Sequence, residues 1–486
     1  MPPWLEKLLP IVLLLVAVSV VVARLPRVDL GHEPGFLRRR RWNWIVLGLT
    51  YAFLYFGRYN LSAIVGELEQ AKILTKEQFN ELDAIGLGVY GVAFLLNGPL
   101  TDRWGGRATI LIAAGGSALM NAGMALAMSE WGADAAREGA QGLDLATGAA
   151  LTGAPVESAG SQLRLALTVL NAANMYFQSF GAVSIVKVNA HWFHVRERGV
   201  LGGLFGILIS LGLYFSYDWS LLLTKELGYV ASFWTPCAVL AAFFVAAWFA
   251  VRDSPGKAGW KDFDTGDATS GQLRADGLGV VVRKLLAQRI VWLLVAIEFC
   301  SGFLRQAAMK QFRPYAKALG ESESFVYQNW GMLLCVAGIL GGVFAGTISD
   351  HVFGSRRGPV ASILYAGMLL AVIGCWAMLG TSGVGWSIVF LSLCVIGVHG
   401  MLSGTASADF GGTKNAGIVT GVIDGFVYLG SATQAFVYAT SLPKGDAAKD
   451  AANWTAWPLW MMPVVVIGLL LCTRVWNARP KAGGGH

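Results

Sequence analysis

Two arginines lie inside long apolar stretches of this 486-residue chain, and their chemistry sets the first question about it. Arg58 lies about two-thirds of the way along 43–66, and Arg305 lies within 289–316. A guanidinium offers five donors in a planar fork and stays charged at working pH, so two of them could hold a doubly charged anion. An arginine at mid-bilayer costs about 2.5–3.5 kcal/mol on insertion scales. We therefore expect both to face a water-filled cavity. The alternatives are snorkelling for Arg58 and an ion pair with Glu298 for Arg305.

Further ionisable residues lie in other apolar stretches. Lys187 could contact a bound anion or pair structurally near the cytoplasmic end of its helix. His399 could contact the anion or bond to a backbone carbonyl. Asp424 could balance Lys187 or one of the arginines, and Asp424 and Glu298 are candidates for proton coupling. The sequence has no metal-ligand spacing, no Gly-x4-Gly-Lys-Ser/Thr string and no nucleophile elbow, so we predict no metal, no cofactor and no enzymatic activity.

The elements that carry these residues are long apolar helices. Hydrophobic residues make up 55% of the chain and charged residues 14%, with a mean hydropathy of +0.55. Soluble domains carry about 25% charge, so this composition excludes an ordinary soluble enzyme. A helix needs about 20 mostly apolar residues to cross a bilayer. The predicted spans are 8–24, 43–66, 84–102, 107–128, 163–190, 199–224, 231–252, 289–316, 324–349, 358–380, 384–406, 415–441 and 455–476.

The positions of lysine and arginine orient these spans. Placing 25–42 in the cytoplasm puts most loop cations on that side, and the net charge of +7 then reflects basic loops rather than nucleic-acid binding. Basic residues follow span 8–24 and few precede it, the reverse of a cleavable signal, so we predict an extra anchor. The predicted organisation is an extra N-terminal transmembrane helix and basic linker in 1–42, a six-helix bundle in 43–252 with an outer loop at 129–162, a cytoplasmic linker in 253–288 and a second six-helix bundle in 289–486.

The chain also repeats itself. The string from Gly98 to Arg107 has a counterpart from Gly346 to Arg357, and each contains an aspartate four residues after its first glycine. Arg58 precedes Asp102 by 44 residues and Arg305 precedes Asp350 by 45, so the two arginines occupy equivalent places in the two halves. An aspartate at the end of one helix can latch the N-terminus of a neighbour, and loop solubility is the alternative. The predicted gating or structural residues are Asp102, Arg103, Arg107, Asp350 and Arg356.

The Gly98–Arg107 string resembles the cytoplasmic signature loop of the major facilitator superfamily. Within that superfamily, four further stretches resemble the organophosphate:phosphate antiporter family, whose members carry glycerol 3-phosphate or hexose phosphates. They are Tyr51-x3-Tyr55-x2-Arg58-x-Asn60, Phe177-Gln178-x2-Gly181, Leu304-Arg305 and Lys414-x-Ala416-Gly417-x3-Gly421. The resemblance implies an all-α polytopic membrane protein with the superfamily fold, two six-helix bundles plus the extra N-terminal helix. It implies that Arg58 and Arg305 bind phosphate and that Tyr51, Tyr55 and Gln178 line the cavity.

The predicted function is secondary active transport. A carrier of this kind would exchange an organic phosphate, or a related organic anion, for inorganic phosphate by alternating access. One alternative is a membrane sensor of phosphate esters without transport. Another is a proton-coupled exporter of amphiphilic compounds, suggested by Phe94 and Ile209 where the resembled family has lysine and histidine. We expect a monomer in the inner (plasma) membrane whose partners are the bilayer and a small anionic substrate, with no nucleic acid.

Overall fold

The computed structural model describes residues 34–140, 159–194, 198–266, 287–353 and 356–477, together with isolated positions in 1–33 and 267–286. The predicted span 8–24 and most of the predicted linker 253–288 therefore lie outside the described residues. Side chains of 198–205, 350, 351 and 404–411 also lie outside the description.

The first half of the chain is helical throughout its described part apart from short connections. Its helices are α1 (Pro34–Gln70), α2 (Lys76–Trp104), α3 (Gly106–Ala140), α4 (Ala159–Gln178), α5 (Phe180–Trp192), α6 (Arg198–Tyr214), α7 (Ser220–Leu227) and α8 (Ala231–Ala250). A π-helical turn, Phe215–Trp219, joins α6 to α7.

The second half has the same character. Its helices are α9 (Arg289–Ala318), α10 (Trp330–His351), α11 (Arg357–Ala377), α12 (Gly383–His399), α13 (Ser407–Ser441) and α14 (Ala456–Arg474). A π-helical segment, Gly400–Ala406, joins α12 to α13, and a one-turn helix, Phe325–Gln328, precedes α10. Each predicted span from 43–66 onward coincides with one of these helices or with consecutive ones.

Nine helical segments in the described part of the chain are long and apolar enough to cross a membrane. Helices α1 and α4 are not among them, because they carry polar side chains such as Arg58, Asn60, Asn171 and Asn174. Large apolar side chains lie exposed on the outside of the bundle, with Phe436 73% exposed, whereas the ionisable Glu298 is fully buried. This arrangement, apolar outside and polar inside, is the one that lipid requires.

The prediction of an outer loop at 129–162 is partly wrong. Helix α3 continues to Ala140 and α4 begins at Ala159, so both ends of that stretch are helical, and 141–158 lies outside the described residues. Residues 129–140 include four Ala, two Glu and one Arg, which are good helix formers, so loss of apolar character at the membrane surface did not end the helix.

Glycine contacts join the two halves in a reciprocal way. Helix α2 packs on α13, where a Cβ added to Gly98 would lie 2.5 Å from the Gly417 carbonyl oxygen. Helix α6 packs on α10, where a Cβ added to Gly206 would lie 3.1 Å from the Gly342 Cα. In each pair, a helix that carries one copy of the repeated string, α2 or α10, packs through glycine against a helix of the opposite half.

The helical bundle has two ends. The end at which α2 finishes and residues 251–266 begin is the linker end, which the charge distribution predicts to be cytoplasmic. The end at which α1 finishes and α2 begins is the opposite end.

Candidate functional site

Arg58 and Arg305 are both buried in the interior, each only 3% exposed. Arg58 Nε donates to Gln178 Oε1 at 3.0 Å, and its Nη1 donates to the Tyr428 hydroxyl at 3.1 Å. Gln178 belongs to α4 in the first half and Tyr428 to α13 in the second half. Arg58 therefore joins the two halves, and the snorkelling alternative is wrong.

Aromatic rings surround the two guanidinium groups. The Arg58 Cζ lies 4.2 Å from the ring centre of Tyr55 and 4.6 Å from that of Tyr90. The Arg305 Cζ lies 5.1 Å from the ring centre of Tyr428. Desolvated contacts of this kind stabilise a cation by about 2 kcal/mol. Tyrosines therefore offset part of the cost of burying the arginines.

Several guanidinium nitrogens have no acceptor. Arg305 makes no hydrogen bond through Nε, Nη1 or Nη2 within the described residues, and neither does Arg58 through Nη2. The Tyr428 hydroxyl lies close to Arg305, but without the geometry of a hydrogen bond. The alternative pair of Arg305 with Glu298 is not formed, because Glu298 Oε2 lies 3.2 Å from Nδ1 of His399. Buried donors without acceptors are costly, and together they offer a bound anion several hydrogen bonds.

A polar network on the first-half side orients Gln178. Its Nε2 donates to the Leu54 carbonyl and to Ser117 Oγ, each at 2.8 Å. Ser117 Oγ donates in turn to Asn174 Oδ1 at 2.6 Å, and Asn174 Nδ2 donates to the Gly57 carbonyl at 2.8 Å. Because both amide hydrogens of Gln178 face this network, its carbonyl oxygen is directed towards Arg58.

Sequence reasoning predicted that Tyr51, Tyr55 and Gln178 line the cavity, and the structure places all three beside the arginine site. The Tyr51 and Tyr55 hydroxyls lie 3.3 Å apart, and both residues are buried. Sequence reasoning missed Tyr90 and Asn174 as residues of this site. Asn174 lies one turn before Gln178 on the same helix, and that spacing was the available signal. No comparable pattern marks Tyr90, which reaches the site from α2.

A second polar cluster lies in the second half and consists of Glu298, His399, Ser403 and Asp424. His399 faces Glu298, and the Ser403 hydroxyl donates to Asp424 Oδ1. All four residues are less than 7% exposed. Of the alternatives for Asp424, the pair with Lys187 is not formed, because the lysine lies at the linker end with a different carboxylate.

The linker-end latch is the ion pair between Asp102 and Lys187, whose charged atoms lie 2.6 Å apart. Asp102 accepts from the backbone N–H groups of Gly417 at 3.1 Å and Ile418 at 2.8 Å. Lys187 donates to the backbone carbonyls of residues 413 and 414, at 2.7 and 3.0 Å. A regular helix would join these N–H groups to these carbonyls, since each pair is four residues apart. The latch thus binds one turn of α13 through both its donors and its acceptors.

The sequence left Lys187 either to contact a bound anion or to pair structurally near the cytoplasmic end of its helix, and the structure shows the structural pair. Arg103 is exposed, and Arg107 contacts its own half through Asp253 and the Trp248 carbonyl.

In the second half, Arg356 Nε donates to the Phe353 carbonyl within its own turn. The side chain of Asp350 lies outside the described residues, so the corresponding second-half latch remains a prediction.

An ion pair also joins the halves towards the opposite end. Asp83 of α2 pairs with Lys310 of α9, and Gln306 donates to the Tyr59 hydroxyl at 3.2 Å. Asp83 and Asp102 are 19 residues apart on one helix, about 28 Å. The arginine site therefore lies between two inter-half ion pairs.

Replacing Asp102 by Asn will loosen this turn of α13. A hydrogen bond to a charged group contributes about 1.5–3 kcal/mol, so amide hydrogen exchange across residues 413–420 should accelerate by about tenfold or more. Exchange mass spectrometry measures this directly. Asp446→Asn is the matched control, because its carboxylate is almost fully exposed and pairs with Lys449 on the surface. Unchanged protection across 413–420 in Asp102→Asn would contradict the latch.

The sequence is similar to those of known proteins from one family. The sequence matches the Major Facilitator Superfamily over residues 47–435. It is 24% identical to the membrane sensor protein UhpC of Salmonella typhimurium, over 94% of this chain and 96% of that protein. It is 23% identical to the glycerol-3-phosphate transporter of Bacillus subtilis, over 64% and 70% of the two chains. It is 24% identical to a probable hexose phosphate transport protein of Chlamydia pneumoniae, over 63% and 70%.

The family match covers most of the chain and both arginines. It confirms the predicted fold class, and membership of a transporter family confirms the expectation of a non-enzymatic protein. The chain is therefore a multi-pass membrane protein that belongs to the Major Facilitator Superfamily.

Proposed function

We propose that this protein is a secondary carrier that holds an organic phosphate between Arg58 and Arg305 and exchanges it for inorganic phosphate by alternating access. The observation that carries the proposal is the set of buried guanidinium nitrogens that find no acceptor among the described residues, three on Arg305 and one on Arg58. A phosphate dianion has three terminal oxygens that accept such donors, and arginine binds phosphate in a bidentate manner.

The position of the arginines supports alternating access. Arg58 lies on α1 and Arg305 on α9, the first helices of the two predicted bundles, so a shared anion would pull the bundles together. The latch at the linker end and the Asp83–Lys310 pair towards the opposite end would then open in turn.

Exchange follows from the same unpaired donors. Reorientation of the empty carrier between its outward-facing and inward-facing states would keep several charged N–H groups buried without acceptors, which is costly. Return with a second anion avoids that cost. The named transport function of two relatives, for glycerol 3-phosphate and hexose phosphate, supports an ester of phosphate as the organic substrate.

Sensing without transport is the second candidate, and one finding favours it. A match that spans nearly the whole of both chains is to a protein named as a membrane sensor. The arginine site would bind a phosphate ester in either case, so binding alone does not separate the two functions.

Phosphate exchange separates them. Proteoliposomes that contain the purified protein and internal phosphate should take up external radiolabelled phosphate, whereas vesicles without internal phosphate should take up far less. A thermal shift with phosphate measures binding independently. Binding without exchange would favour the sensor, and the absence of both would refute the arginine site as a phosphate site.

A further inference from the structure

The cluster of Glu298, His399 and Asp424 is not used by the anion site as described above. Glu298 is 0% exposed, Asp424 2% and His399 4%. They come from three helical elements, α9, the C-terminal end of α12 and α13. One carboxylate oxygen of Glu298 contacts His399, and the other, Oε1, is buried without any partner in the described part of the chain.

The surroundings of the cluster hold few compensating charges. On the inner side, Asp424 faces Arg305 of α9 and the Ser403 hydroxyl, and Tyr428 lies one turn along α13. On the other side, Glu298 faces Cys300 of its own helix, Cys472 of α14 and Tyr365 of α11.

These outer neighbours supply no positive charge to Glu298. The Tyr365 hydroxyl donates to the Ile297 carbonyl at 2.6 Å, so it offers Glu298 no hydrogen. Arg305 is the permanent cation on the inner side of the cluster. Burying a carboxylate with so few charged or donating partners is costly.

A count of formal charges links the cluster to the arginines. Two guanidinium groups and two ionised carboxylates beside a neutral imidazole sum to zero. A phosphate dianion on Arg58 and Arg305 would give this region a net charge of about −2. It would also offset the positive charge of Arg305, which otherwise balances Asp424. A net charge in a low-dielectric interior is costly, and proton uptake by the cluster lowers it.

We propose that Glu298, His399 and Asp424 form a proton-binding site that is loaded when the anion binds, so that each leg of the exchange carries protons with phosphate. This inference rests on the proposed function. The proton comes from water on the loading side, resides on a carboxylate oxygen or an imidazole nitrogen of the cluster, and leaves with the anion on the other side. No bond other than that to the proton forms or breaks.

Isothermal titration calorimetry tests this with the complete protein in detergent and inorganic phosphate as the probe. At about pH 8.5 free phosphate is already a dianion and releases almost no proton on binding, so a proton taken up goes to the cluster or to the bound anion, and the double variant below separates these two acceptors. The binding enthalpy is measured in two buffers that differ in ionisation enthalpy, and the slope gives the protons taken up. We expect about one proton per bound phosphate in the wild-type protein.

The double variant Glu298→Gln/Asp424→Asn should bind phosphate with a slope near zero, and the exposed Glu323→Gln should match the wild type. Because the wild-type slope is measured without any substitution, poor folding of a variant does not remove the test. Phosphate binding with a slope near zero in the wild type would overturn the proton site and leave the proposed carrier intact. Absence of phosphate binding, by heat and by thermal shift, would overturn the proposed function itself.

Discussion

Replacing Arg58 or Arg305 by lysine is expected to lower phosphate exchange by about 100-fold or more. Each guanidinium would lose paired, charge-assisted hydrogen bonds to phosphate, each contributing about 1.5–3 kcal/mol, and lysine cannot reproduce the planar fork. The positive charge is kept, so the loss would report hydrogen-bond geometry rather than net charge. Radiolabelled phosphate exchange in proteoliposomes measures the effect.

The two variants should differ in stability, which gives an internal control. Arg58 donates to Gln178 and Tyr428, so Arg58→Lys should lower the melting temperature of the empty protein. Arg305 makes no hydrogen bond within the described residues, so Arg305→Lys should leave the melting temperature nearly unchanged. Arg137→Lys is the matched surface control, because its side chain is 76% exposed. Exchange within about threefold of wild type in Arg305→Lys would end the arginine clamp as a mechanism.

Much of the fold could be predicted from sequence because a bilayer imposes a strong length and polarity requirement. Apolar runs marked the spans, and the repeat of Asp102 and Asp350 at similar distances from the arginines indicated two equivalent halves. Interruptions inside spans could not be predicted in the same way. The break between α4 and α5 at Ser179 and the non-helical Gly412 inside α13 depend on contacts with neighbouring helices.

The residues of the candidate site could likewise be predicted only in part. Arg58 and Arg305 were predictable because an isolated charge in an apolar run needs an interior partner. Which residue meets which depends on the rotation of helices about their axes and on distances between halves, and neither is written in a local pattern. This is why the sequence could not choose between an anion contact and a structural pair for Lys187, and why Tyr90 was missed.

Substituting Gly98 by alanine is expected to prevent closure of the linker end. The new Cβ would lie 2.5 Å from the Gly417 carbonyl oxygen, a distance that real Cβ atoms do not show, and a backbone oxygen cannot move aside without moving α13. Because alanine is the better helix former by about 1 kcal/mol, the effect cannot come from weakening α2 itself. We expect exchange to fall by about tenfold or more in Gly98→Ala and further in Gly98→Val.

The matched control lies on the same helix. Gly88 has open space where a Cβ would be added, so Gly88→Ala should exchange phosphate at the wild-type rate. Spin labels would be attached at the exposed positions Phe249 and Val352, one in each half near the linker end. Double electron–electron resonance then measures the distance between the two labels. A longer label distance in Gly98→Ala but not in Gly88→Ala would show that α2 and α13 must touch for the cycle to proceed. An unchanged distance with normal exchange would mean that the glycine contact serves packing alone, and the latch at Asp102 would then have to hold the linker end without it.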